Sequence, residues 1–107
     1  MNALEFLLTH VQEECGEITQ AAAKILRFGL DSRDPRTGEI NVDKFVKELN
    51  DLQGIIELLK QLPVLEGLPG LHDPEAVQNK IKKVLRYARD SQALGILTED
   101  LPGHEHT

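Results

Sequence analysis

The first 28 residues carry the pattern that most narrows the fold. Taken at about 100° per residue, Leu4, Leu7, Leu8, Val11, Cys15, Ile18, Ala22 and Ile25 fall on one stripe. That spacing predicts an amphipathic helix over residues 3 to 28, with Gly29 as its natural stop. A second helix is expected over 42 to 61, where Phe45, Val46, Leu49, Leu52, Ile56 and Leu59 repeat, with Asn41 or Asp43 as its cap and Pro63 as its end. Asp73 followed by Pro74 supplies a cap and a first-turn proline for a third, reaching to about Leu94 before Gly95. Its apolar face is Val77, Ile81, Val84, Leu85 and Ala88.

Between the first two helices, LDSRDPRTGEIN is rich in Asp, Gly and Pro and reads as a connecting loop, expected to move when no ligand is bound. The end, TEDLPGHEHT, reads as a frayed tail. There is no internal repeat and no strand alternation that competes with the helical pattern. The expected fold is all-α: three main amphipathic helices in one domain over residues 1–97, followed by a flexible tail over 98–107. Three such faces offer more apolar surface than 107 residues can cover, so the bundle is expected to be completed by oligomerisation, as a homodimer or homotetramer.

Composition restricts the partners. Twelve Lys and Arg against eighteen Asp and Glu give a net charge of -6, which argues against nucleic acid and anionic membrane surfaces. Aromatics are 4% with no Trp, so the core has to be aliphatic. The single Cys15 cannot form an intrachain disulfide and reads as a small buried hydrophobe, for which a reducing cytoplasm is expected. The N-terminal run is interrupted by His10 and three Glu and suits neither a signal peptide nor a membrane span.

The acidic excess has a location. EECGE on the first helix contains Glu13, Glu14 and Glu17, and ELND on the second contains Glu48 and Asp51. Residues three apart share a helix face, so each motif can aim two carboxylates at one place. Glu14 falls about 20° from Leu7 and Ile25, and Glu17 about 60° further out. Glu48 projects between Leu52, Leu59 and Ile55, and Asp51 between Ile55 and Leu58. Either motif alone is common on a solvated helix. Two together, each at an apolar margin, are not. If the helices pack antiparallel, up to four carboxylates converge and must take up protons or bind a cation. Oxygen-only ligands favour Mg²⁺, with Mn²⁺ as a substitute, and such an ion keeps open positions for water and phosphate.

The pair EECGE and ELNDL resembles the E-E-x-x-E and E-x-x-D motifs of the MazG-like all-α nucleoside triphosphate pyrophosphohydrolases, in particular their compact single-domain phage members. The similarity covers roughly the first 60 residues well and the third helix loosely. The distance between the motifs is long for the family because of SRDPRTGEI. The resemblance implies hydrolysis of a (d)NTP between the α and β phosphates in nucleotide-pool control, with a purine such as dGTP as the expected substrate. It implies Glu14, Glu17, Glu48 and Asp51 as metal ligands, and Glu13 as a further ligand or the group that orients the attacking water, so that Glu13 and Glu14 carry the catalytic roles.

Further residues suit an anionic substrate. Lys24 lies on roughly the face of Glu17 and can reach a phosphate, with Arg27 beside it. Phe28 can stack on a base, and Asn50 can hydrogen-bond a sugar or base. On the third helix Lys83 and Tyr87, four apart, are the pair expected to face the site amid Lys80, Lys82, Arg86 and Arg89. His10 is one turn before Glu14, and His104 and His106 suit only adventitious metal binding. A di-iron carboxylate bundle is disfavoured, since no Glu-x-x-His pair occurs. From another class, the chain would be a non-catalytic helical oligomerisation or regulatory module with solvated acids.

Overall fold

The computed structural model describes residues 1–103. Among these the structure is all-helical: α1 (Ala3–Phe28), α2 (Asn41–Leu59), one short 3-10 turn (Pro63–Leu65) and α3 (Pro74–Ala93). The chain divides into two compact units, Met1–Pro69 and a second that begins at Gly70. That boundary falls inside the span read as one domain from the sequence. No helix among the described residues is long and apolar enough to cross a membrane.

In the first unit α1 starts in a full capping box. Asn2 Oδ1 accepts from the Glu5 amide at 2.8 Å, and Glu5 Oε1 accepts from the Asn2 amide at 3.0 Å, satisfying two otherwise orphaned donors. It ends at Gly29, whose φ of 96° is a conformation that L side chains rarely adopt. The chain then reverses. Val42 N donates to Leu30 O, and Asn2 to Leu4 line a small cavity together with Leu62 to Val64, so the start of α1 meets the end of α2 and the two helices run antiparallel.

The entry to α2 departs from the sequence expectation. Asn41 is the first helical residue, not the cap, and neither it nor Asp43 caps the helix; Ile40 occupies the cap position without a side-chain bond. The Asn41 side chain instead donates to Gly29 O at 3.0 Å from a position that is 6% exposed, so it ties the end of one helix to the start of the next.

Buried apolar positions among the described residues are few: Leu7, Ala21 and Leu59 here, and Ala88 in the second unit. A two-helix hairpin covers only one side of each partner, so much of the predicted stripe is half-buried. Leu8, Val46 and Leu49 are exposed, and Cys15, expected in the interior, is exposed as well.

The connection between α1 and α2 is tied by its own hydrogen bonds. Arg33 and Ile40 form an antiparallel bridge, Gly38 N donates to Asp34 O at 2.7 Å, and the Arg33 guanidinium donates to Gly38 O.

In the second unit the Asp73 carboxylate accepts from Ala76 N at 2.9 Å, with Pro74 in the first turn, as the sequence indicates. Val77, Ile81 and Val84, expected on the core face, are exposed. The start of the expected tail is held to the helix: Gln92 Nε2 donates to Glu99 O and to Asp100 Oδ1, each at 2.9 Å. His104 and His106 lie outside the described residues.

Candidate metal centre

Antiparallel packing brings the middle of α1 against the middle of α2. Glu14, Glu48 and Asp51 each place one carboxylate oxygen within 4.8 Å of the other two. Glu48 is 2% exposed, although a glutamate is almost never buried without a partner. Its partner is Lys44, one turn earlier, whose Nζ lies 2.6 Å from Glu48 Oε1. Lys47 Nζ is 3.7 Å from the same oxygen and 3.4 Å from Asp51 Oδ2. Three acids therefore face two lysines, and the cluster retains a negative excess.

The electrostatics differ between the two glutamates. Burial pushes the Glu14 carboxyl above its usual range, helped by a hydrogen bond shared with Glu48 and by the charges of Asp51, Glu48 and Glu13. Glu48 is held below the usual range by the Lys44 hydrogen bond, which outweighs its burial, and then by the bond with Glu14. Lys44 is raised in turn, chiefly by Glu48. One acceptor is left over: Glu14 Oε2 is buried and receives no hydrogen bond. An orphaned carboxylate oxygen beside two further carboxylates fits a hard divalent cation.

The other residues expected at the site are distributed around it. Glu17 is not one of the three clustered acids; it lines a neighbouring cavity of about 210 Å³ together with Lys24, Asp34, Arg36, Asn41 and Lys44. Glu13 has a side chain 61% exposed, 3.8 Å from His10 Nδ1, and His10 packs edge-on against Phe6. Lys24 meets an acid of its own chain, with Nζ 3.3 Å from Asp34 Oδ2. Arg27 stacks over the Phe28 ring at 5.2 Å, and both border a second cavity of about 410 Å³. Asn50 is exposed on α2. Lys83 and Tyr87 belong to the second unit, where Lys83 Nζ is 5.9 Å and the Arg86 guanidinium 5.6 Å from the Tyr87 ring centre.

Sequence reasoning missed Lys44, Lys47 and Asp34. The first two had a readable signal, since Lys44 and Glu48, like Lys47 and Asp51, stand four apart on one helix. Asp34 had none, because its partners depend on the path of the loop. Fold and site together define an all-α chain whose helical hairpin holds a three-carboxylate cluster. Comparison with protein-family models, with curated proteins and with solved structures finds no match for this chain.

Proposed function

We propose that this protein is a Mg²⁺-dependent nucleoside triphosphate pyrophosphohydrolase of the MazG-like class, with Mn²⁺ able to substitute. The observation that carries the reading is the buried, unpartnered Glu14 Oε2 beside Glu48 and Asp51, two acids from the opposing helix. The resemblance of EECGE and ELNDL to the family's motifs supports it. Glu14, Glu48 and Asp51 would hold the ion, with Glu17 at the border of the adjoining cavity. When bound, a divalent ion supplies charge neutralisation on the phosphates and a more acidic water. Water attacks the α-phosphorus, its oxygen forms the new bond, the bridge to the β-phosphate breaks, and pyrophosphate leaves. Glu13, one residue before Glu14 on α1, would accept the proton that the water loses.

The same reading puts the protein in the cytoplasm as a homodimer or homotetramer, supported by the exposed Phe6, Leu8, Val46 and Leu49 on the hairpin. Incubation with each (d)NTP and Mg²⁺ is expected to release pyrophosphate and a nucleoside monophosphate, and Glu48→Gln is expected to reduce turnover to background. Release of orthophosphate, or no turnover of any nucleotide, would overturn the assignment.

A second reading has its own observation. Lys44 and Lys47 already compensate Glu48 and Asp51, as in a structural ion network. On that basis the chain is a non-catalytic helical oligomerisation or regulatory module, and Mg²⁺ leaves its melting temperature unchanged.

A further inference from the structure

The cavity at the end of α1 gathers positive charge in a chain whose net charge is -6. Lys24, Arg27, Arg33 and Arg36 border it, against the single acid Asp34, which leaves an excess of +3. That acid is already engaged. Lys24 Nζ lies 3.3 Å from its Oδ2, while its Oδ1 accepts from Arg36 N at 2.8 Å and stands 3.6 Å from Arg36 Nε. Arg27 and Arg33 have no carboxylate within ion-pair distance among the described residues. The negative end of the α1 dipole accounts for Arg27, in the last turn, but not for Arg33 and Arg36, which the loop carries alongside. Like charges gathered in one cavity repel, and an anion between them turns that repulsion into attraction.

The shape and surface of the cavity narrow the anion. Guanidinium groups match phosphate oxygens through paired, charge-assisted hydrogen bonds. Phe28 is 62% exposed with Arg27 5.2 Å over its ring, and Pro35 adds an apolar wall, so a flat ring can stack beside the charges. A volume of about 410 Å³ is in the range of small-ligand pockets. None of Glu14, Glu48 and Asp51 lines this cavity. A triphosphate held by an ion at those acids would keep its charge there. Its neutral base, placed beside Phe28, would leave the three excess cations without an anion.

We propose that the cavity bordered by Phe28, Arg33 and Arg36 is a second, metal-independent site for a planar ligand carrying a phosphate, of which a nucleoside monophosphate is the simplest form. Its phosphate is held by the arginines and its ring by Phe28. The site supplies its own positive charge, so it does not depend on the hydrolase reading of the acid cluster.

The test is calorimetric titration in EDTA at low salt with AMP and UMP, and with adenosine, uridine and inorganic phosphate for comparison. A monophosphate should bind, and its nucleoside and inorganic phosphate should each bind about tenfold more weakly. Arg27→Gln, which removes no hydrogen bond of the loop, should weaken the monophosphate about threefold, and Arg33→Gln with Arg36→Gln about tenfold or more. Phe28→Ala should weaken the monophosphate and leave inorganic phosphate unchanged. No binding of either monophosphate at millimolar concentration, or nucleosides that bind as well as their phosphates, overturns the site. So does benzoate bound as tightly as AMP, since a carboxylate would then suffice. Binding that appears only with Mg²⁺ and is lost in Glu14→Gln places the ligand at the acids and overturns the second site while supporting the metal centre. Binding in EDTA that survives Glu14→Gln supports it, whether or not any triphosphate is hydrolysed.

Discussion

Lys44 Nζ lies 2.6 Å from Glu48 Oε1, one helical turn away on α2, and the carboxylate it meets is almost wholly buried. The contact explains how an acid can occupy an interior position of a small hairpin. It also means that a cation entering the cluster competes with an ammonium already there.

Removing that ammonium should therefore have two opposite effects. Lys44→Ala leaves the more distant Lys47 as the ammonium facing Glu48, and the metal-free protein should lose about 1–3 kcal/mol, less than for a fully buried pair because Lys44 is partly solvated. Affinity for Mg²⁺ should rise, since the ion no longer displaces a lysine. Thermal denaturation in EDTA and in Mg²⁺ measures both, and a variant that is destabilised equally in the two buffers would contradict the competition.

Glu14→Gln should make the metal-free protein more stable. The folded state raises the Glu14 carboxyl above its ordinary value of 4.5, so between that value and the raised one the folded chain binds more protons than the unfolded chain. Stability then falls as pH rises through this window, and the loss persists at neutral pH. The amide removes the repulsion and the pH dependence with it. Melting curves from pH 4 to 8 in EDTA should be flatter for Glu14→Gln, and the gain in melting temperature on adding Mg²⁺ should be smaller.

Asp34 carries the opposite sign. Its carboxyl is lowered from 3.8, so its contribution is present above that value and is lost as pH falls through the folded-state value. Asp34→Ala should lower stability at pH 7, and the loss should shrink at acidic pH, where the carboxyl is protonated in both states. Hydrogen exchange at the Arg36 amide, which Asp34 Oδ1 now protects, should accelerate in the variant; unchanged exchange would show that the loop does not depend on this side chain.

Val46 and Leu49 lie three residues apart on one face of α2, and both are exposed. Their coverage by a second copy predicts a solution mass above the 12.0 kDa of one chain. Sedimentation should give a dimer or tetramer, and Val46→Lys with Leu49→Lys should shift it toward monomer while leaving the helical signal in place. A native chain that sediments as a monomer at micromolar concentration would remove the basis for this interface.

Much of the secondary structure was legible before folding. The run from Leu4 to Ile25 has one strong period, and Gly29, Pro63, Asp73 and Pro74 mark ends that need a particular backbone conformation or a missing amide. The start of α2 is not legible locally, because Asn41 and Asp43 both satisfy the preference for a cap, whereas Asn41 is used at longer range to bind Gly29. Cys15 and Leu8 share the apolar stripe yet are exposed, because periodicity identifies a face without saying how wide a partner covers it.

The acid cluster divides in the same way. Local spacing fixed that Glu14 and Glu17 belong to one helix margin and Glu48 and Asp51 to another, since a turn of helix sets these relations whatever surrounds it. Tertiary structure decided that Glu14, Glu48 and Asp51 converge while Glu17 turns to the adjoining cavity, that Lys44 partners Glu48, and that Lys24 meets Asp34. Those pairings depend on the axial stagger of two antiparallel helices and on the path of a twelve-residue connection, both set by the packing of the whole hairpin and by neither helix alone.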